Sequence, residues 1–168
     1  MRRAHSAFWP PPSLLLSLVI AVVISTTVSS PLSGECVLCR QCGADVSDGV
    51  HIVNQFSPSA LVRGNQSLFG ARDVQVQVLE NPLGVRFRVV TFTKASCGPG
   101  HTWHNEHSWF PGYIWRHCLC PRCGHHLGWI FIPQSMVSLK TLYALSLDNI
   151  LGEQFSDSLM VVPKAYQS

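Results

Sequence analysis

The chain has 168 residues, twelve Lys and Arg against nine Asp and Glu for a formal charge of +3, and an apolar fraction of 46%. This length and apolar content suit one domain with a real core. So small a charge excludes the broad basic face that nucleic acid or an anionic membrane would require.

Arg2 and Arg3 precede the apolar run SLLLSLVIAVVIS, and the small residues of TTVSS follow it. That order of charge, apolar run and small residues is the pattern of a secretory signal peptide. The apolar run is short of the ~20 residues of a membrane span, so a leader over residues 1–30 is expected, cut between positions 26 and 34. Loss of Arg2 and Arg3 brings the formal charge to +1. The product is expected to be secreted and monomeric, without a membrane anchor and without nucleic acid as a partner. Asn65-Gln66-Ser67 is then a candidate glycosylation site at Asn65, in a polar stretch that reads as a surface loop.

Residues 35–165 are expected to form the domain. ECVLCRQCGADV opens it with cysteines and a Gly turn, and short runs rich in β-branched and aromatic residues follow: HIVNQF, VQVQVL, RFRVVTFT, GYIWRHCL, GWIFI, TLYALSL and LMVVP. VQVQVLE and RFRVVTF alternate apolar with polar, as strands with one buried and one wet face do, and Asn81-Pro82-Leu83-Gly84 supplies a turn between them. A hairpin is predicted there. Residues 138–147 fit helix and strand equally. The class is mostly β, built from short antiparallel strands.

Two of the pairings among the seven cysteines have the spacing of metal ligands: Cys39-Arg40-Gln41-Cys42-Gly43 and Cys120-Pro121-Arg122-Cys123-Gly124. Each places two thiolates on a tight turn, with a Gly able to take positive φ, and two such knuckles read as a four-sulfur structural zinc site. Disulfides are the competing reading in a secreted chain, but a bridge inside C-x-x-C is strained or catalytic and no thioredoxin-like pattern is present. With four sulfurs the ion has no open position for an activated water. His125 and His126 are then surface or hydrogen-bonding histidines. Cys36 and Cys118 lie just before the two knuckles and are expected to pair as a disulfide, which leaves Cys97 as a half-buried thiol.

The run EHSWFPGYIWRHCLCPRCGHHLGWIF, residues 106–131, holds Trp109, Trp115 and Trp129. By composition alone these rings read as core. EHSWFPGYIW, then CPRC five residues after Trp115, then HLGWIF, resemble the thalidomide-binding domain family known from cereblon, the CULT domain. CRQCG, ENPLG and TKASC extend the resemblance over most of residues 36–160, and its W-x5-W and C-x-x-C-x5-W spacings are specific.

The resemblance implies two antiparallel β-sheets at a large angle, a β-tent, pinned by a four-cysteine zinc. It also implies an aromatic cage for cyclic imides, with uracil-like rings as weaker ligands. In that cage Trp109, Trp115 and Trp129 would be the walls and Phe131 the floor. The His107 carbonyl would accept the imide N–H, the Trp109 backbone N–H would donate to an imide oxygen, and Asn81 and Tyr113 would lie nearby. Leu83 departs from the polar or imidazole residue of the family, and ligase recruitment is not implied. The function expected is capture of a cyclic imide, a pyrimidine-like ring or a cyclic-imide protein terminus, without catalysis. Two other classes stand beside it: a methionine sulfoxide reductase-like enzyme using Cys97, which has only Lys94 close in sequence to stabilise a thiolate, and a structural extracellular interaction domain.

Overall fold

The computed structural model describes residues 34–100, 102–135 and 140–158. The expected leader, the LMVVP run and the end of the expected domain at residue 165 lie outside them. The described residues form two antiparallel sheets. The smaller has the order β2-β1-β9, from β1 (Cys36–Cys39), β2 (Asp45–Asp48) and β9 (Ile150–Gly152). The larger has the order β3-β4-β5-β8-β7-β6, from β3 (Val62–Leu68), β4 (Ala71–Glu80), β5 (Arg86–Phe92), β6 (Tyr113–Leu119), β7 (His126–Pro133) and β8 (Leu142–Ser146). A short helix, α1 (Glu153–Ser158), follows β9.

The predicted hairpin is β4–β5, with Gln77 opposite Val89 and Glu80 opposite Arg86. The ambiguous segment resolves as strand β8, because Leu142, Ala144 and Leu145 are clamped between β5 and β7. HIVNQF is not a strand: its start belongs to a 3-10 turn over Gly49–His51, and Ile52 makes a single bridge to Phe92. The stretch around Asn65, expected as a loop, is strand β3 at the edge of the larger sheet, with Asn65 exposed opposite Gln75.

β4 departs from the expected wet-and-dry alternation. Gln75 and Gln77 are as buried as Val74 and Val76. Residues 53–60 cross that face of the sheet: the Gln77 amide donates to the Gln55 carbonyl at 2.7 Å and accepts from the Ser57 N–H at 2.8 Å. Buried amides need such partners, and the crossing segment supplies them for Gln77, whereas the Gln75 Oε1 is buried without one.

Two apolar clusters result. One, around Val37, Phe92, Leu127 and Ile150, joins the two sheets. The other, around Leu79, Phe110, Trp129 and Phe131, underlies the aromatic region of the larger sheet.

Candidate functional site

The first knuckle turns β1 toward β2 and the second joins β6 to β7, so their meeting links the small sheet to the large one. The Sγ atoms of Cys39, Cys42, Cys120 and Cys123 all lie within 4.8 Å of one another. Cys39 and Cys123 approach to 3.8 Å, and Cys42 and Cys120 to 3.6 Å. Gly43 and Gly124 take φ of 67° and 73° and return their N–H groups to the carbonyls of Cys39 and Cys120. Only a residue without a Cβ does this cheaply. Burial pushes the Cys39 thiol up to about 12. At Cys120 burial acts the same way, but the backbone N–H groups of Cys123 and Arg122, together with the Cys42 and Cys123 thiols, bring the thiol down to about 7. Four sulfurs so close, with thiolate-stabilising amides at the turn, form a cluster suited to a tetrahedral metal ion.

The expected Cys36–Cys118 disulfide is corrected by the structure, which joins Cys97 to Cys118 with Cα atoms 5.0 Å apart. Cys36 is a free thiol, its pKa raised by burial and then by Glu153. It stands at the end of β1 away from the knuckle, three residues or about 10 Å of strand from Cys39. Residues 96–98 instead run beside β6, where the Gly98 N–H donates to the Leu119 carbonyl at 2.8 Å. Cys97, the nucleophile of a reductase-like reading, is thus bonded to a fully buried partner.

On the larger sheet, β6 and β7 pair with Trp115 opposite Phe131 and His117 opposite Trp129. Directly opposed residues share a face, so the four rings gather on one side. Across β8, Trp129 faces the small side chain of Ala144, and Phe87 of β5 reaches the indole at 4.8 Å, edge to face. The residues before β6 fold over this face and bring Trp109 to 4.5 Å from Trp129 at an interplanar angle of 71°.

The result is a cavity of about 290 Å³ lined by Trp109, Trp115, Trp129, Phe131, Phe87 and His107, with Asn81, Pro82 and Leu83 of the β4–β5 turn and with His117 and His126. The walls are fixed by polar ties. Trp109 Nε1 donates to the Glu80 carbonyl and Trp115 Nε1 to the Glu106 carbonyl, each at 2.8 Å. Buried Ser57 donates to the Trp109 carbonyl at 2.5 Å. His107 has φ of 56°, a left-handed conformation that a non-Gly residue adopts at a cost and that clusters at functional sites.

Asn81 is held by its own turn, Oδ1 accepting from the Leu83 and Val85 N–H groups at 3.0 and 2.8 Å. Tyr113 does not line the cavity; it is buried against Phe110 at 6.3 Å. Phe87, His117 and His126 were not anticipated. His117 carried a readable signal, since it lies two residues from Trp115 on a strand and so shares its face.

The chain is similar to cereblon over part of its length. It is 62% identical to the Gallus gallus protein over 26 residues, 16% of this chain and 6% of that one. Against the Drosophila willistoni protein it is 44% identical over 45 residues, 27% of this chain and 7% of that one. Against the Danio rerio protein it is 39% identical over 69 residues, 39% of this chain and 14% of that one. The chain thus matches only a small fraction of those relatives' length. No protein-family model matches it. With the two sheets and the cysteine cluster, these matches support a cereblon-like domain in this chain.

Proposed function

We propose that this chain is a secreted, zinc-stapled binding domain that captures cyclic imides or uracil-like rings in its tryptophan cavity. The observation that carries the reading is the arrangement of Trp109, Trp115, Trp129 and Phe131 around one ring-sized space. Its volume of about 290 Å³ falls just under the ~300–1,000 Å³ of drug-sized sites, which favours a single flat ring. Such a ring gains from aromatic walls, and an imide edge needs one donor and one acceptor side by side. The main chain of His107 to Trp109 would supply both.

Zinc fits the cysteine cluster. Bonds of ~2.3 Å in a tetrahedron place sulfurs about 3.8 Å apart, close to the 3.6 and 3.8 Å of the two cross-knuckle pairs. The ion would supply no reacting water; it would hold the β1–β2 hairpin against β6–β7 and so the floor of the cavity. The Cys97–Cys118 bridge supports secretion, since disulfides persist in oxidising compartments.

The test is titration of the zinc-loaded protein with glutarimide, followed by tryptophan fluorescence, beside a Trp129→Ala variant. Saturable quenching that the variant loses is expected. A folded wild-type protein that does not respond would reject the proposal.

A further inference from the structure

Capture of imide-type rings leaves one side of the cavity without a role, and any ligand contact on that side rests on the same reading. His117 of β6 and His126 of β7 line the cavity with ring centroids 5.1 Å apart and planes at 74°. Each is set edge to face with a cage indole, His117 at 5.5 Å from Trp115 and His126 at 4.8 Å from Trp129. Among the described residues, the cavity lining has no Asp, Glu, Lys or Arg side chain. Apart from the indole N–H groups, its other polar side chains are Asn81, whose oxygen is taken by the turn, and exposed His107.

His126 Nε2 is buried and has no hydrogen-bond partner. An unsatisfied polar atom of this kind costs free energy and asks for an explanation. The titratable and hydrogen-bonding groups around His126 come from three places: His117 on the neighbouring strand, His125 in the turn before β7, and the backbone of Gly128 within β7. Burial first and His117 second hold its pKa below the usual histidine range. With no carboxylate lining the cavity, an ion pair formed there after proton uptake would need an anion from the ligand.

We infer that the His117–His126 edge is a subsite for an anionic substituent, so that the preferred ligand is an imide-type ring bearing a carboxylate. A proton held by the pair donates to the carboxylate in a charge-assisted hydrogen bond. A cationic substituent meets the same charge with the wrong sign, and an unsubstituted ring does not reach the edge. Binding of the anion then draws a proton into the pair and strengthens as the solution is acidified.

Three probes that share one ring separate these cases: uracil, orotate, which is uracil with a 6-carboxylate, and 6-(aminomethyl)uracil. The zinc-loaded full-length secreted product is titrated with each at pH 7.5 and 5.5, and its metal content is measured at both. Orotate is expected to bind about tenfold more tightly than uracil at pH 5.5, by a smaller factor at pH 7.5, and 6-(aminomethyl)uracil below both. His117→Phe keeps a ring against Trp115 and should bring the orotate-to-uracil ratio to about one, with His126→Gln as the independent second variant. Uracil binding with equal orotate affinity at both pH values would overturn the inference and leave ring capture standing. An orotate advantage that survives both substitutions would overturn it too. If glutarimide and all three probes fail, ring capture itself falls.

Discussion

Gly128 lies between the cysteine cluster and the cavity, and substituting it should damage both. It lies in β7 between the second knuckle and Trp129, with φ of 153°, opposite Cys118 on one side and Leu145 on the other. A Cβ built there falls 2.1 Å from the Ala144 carbonyl oxygen and 2.8 Å from Leu145 Cα, both backbone atoms of β8. Separations under 3.0 Å are essentially never seen for real Cβ atoms, so β7 and β8 must part by about 1 Å. Gly128→Ala therefore carries about 1–2 kcal/mol for a positive φ that L side chains rarely adopt. Two weakened ladder hydrogen bonds add about 1 kcal/mol each. The total of about 3–4 kcal/mol is among the largest effects single substitutions show. Gly84→Ala is the control, because its φ of 79° is also positive but nothing lies within 4 Å of the added carbon; it should cost only the conformational ~1–2 kcal/mol. Urea unfolding in excess zinc with the disulfide intact reads both without contributions from metal loss. The shift should also move Trp129 against Ala144 and change the tryptophan emission. If Gly128→Ala falls within 1 kcal/mol of Gly84→Ala and its emission is unchanged, the tight β7–β8 contact does not set the position of Trp129.

Replacing Cys97 and Cys118 together by Ser opens a loop with a sequence separation of 21, for which chain entropy gives about 3 kcal/mol of lost stability; the urea midpoint checks it, and mass mapping should find Cys36 as a free thiol beside the bridge. The lowered pKa of His126 has a definite consequence for pH. Its folded value lies below the unfolded one, so the unfolded state binds more protons in between, and stability falls as pH drops through about 6.5 toward the folded value. In the metal-loaded protein without ligand, thermal melts between pH 7.5 and 5.5 should show that decline, and His126→Gln should flatten it.

Short-range chemistry was readable from the chain. The two C-x-x-C-Gly knuckles could be assigned because each is a local turn, and the cluster needed only the two turns to meet. The β4–β5 hairpin was readable for the same reason, its turn residues lying between two alternating runs. What the alternation could not tell is that residues 53–60 would cover the second face of β4. Gln75 and Gln77 look like wet positions in the sequence and are buried under that segment, where Ser57 and Gln55 partner the Gln77 amide and Asn54 accepts the Gln75 backbone N–H. Strands β1, β2 and β9 are three or four residues each, too short to show a period, and exist because they pair with one another.

The wrong cysteine pairing and the missed His126 have one cause, which is that both depend on how the strands are placed against one another. Closeness to a knuckle in sequence favoured pairing Cys36 with Cys118, yet three residues of extended chain are enough to carry Cys36 out of reach, while a loop twenty residues upstream lies directly against Cys118. In the cavity, Trp115 and Phe131 were legible as aromatic residues, but His126 and Phe87 enter only once β7, β8 and β5 are placed in order. Parity along a strand is the one part of register that a sequence does carry. Residues 115 and 117 share a face, as do 129 and 131, so a β6–β7 hairpin around the second knuckle already places an imidazole next to two indoles. That inference needs no relative, and it puts His117 at the cavity in a chain of which the three cereblon matches each cover less than half.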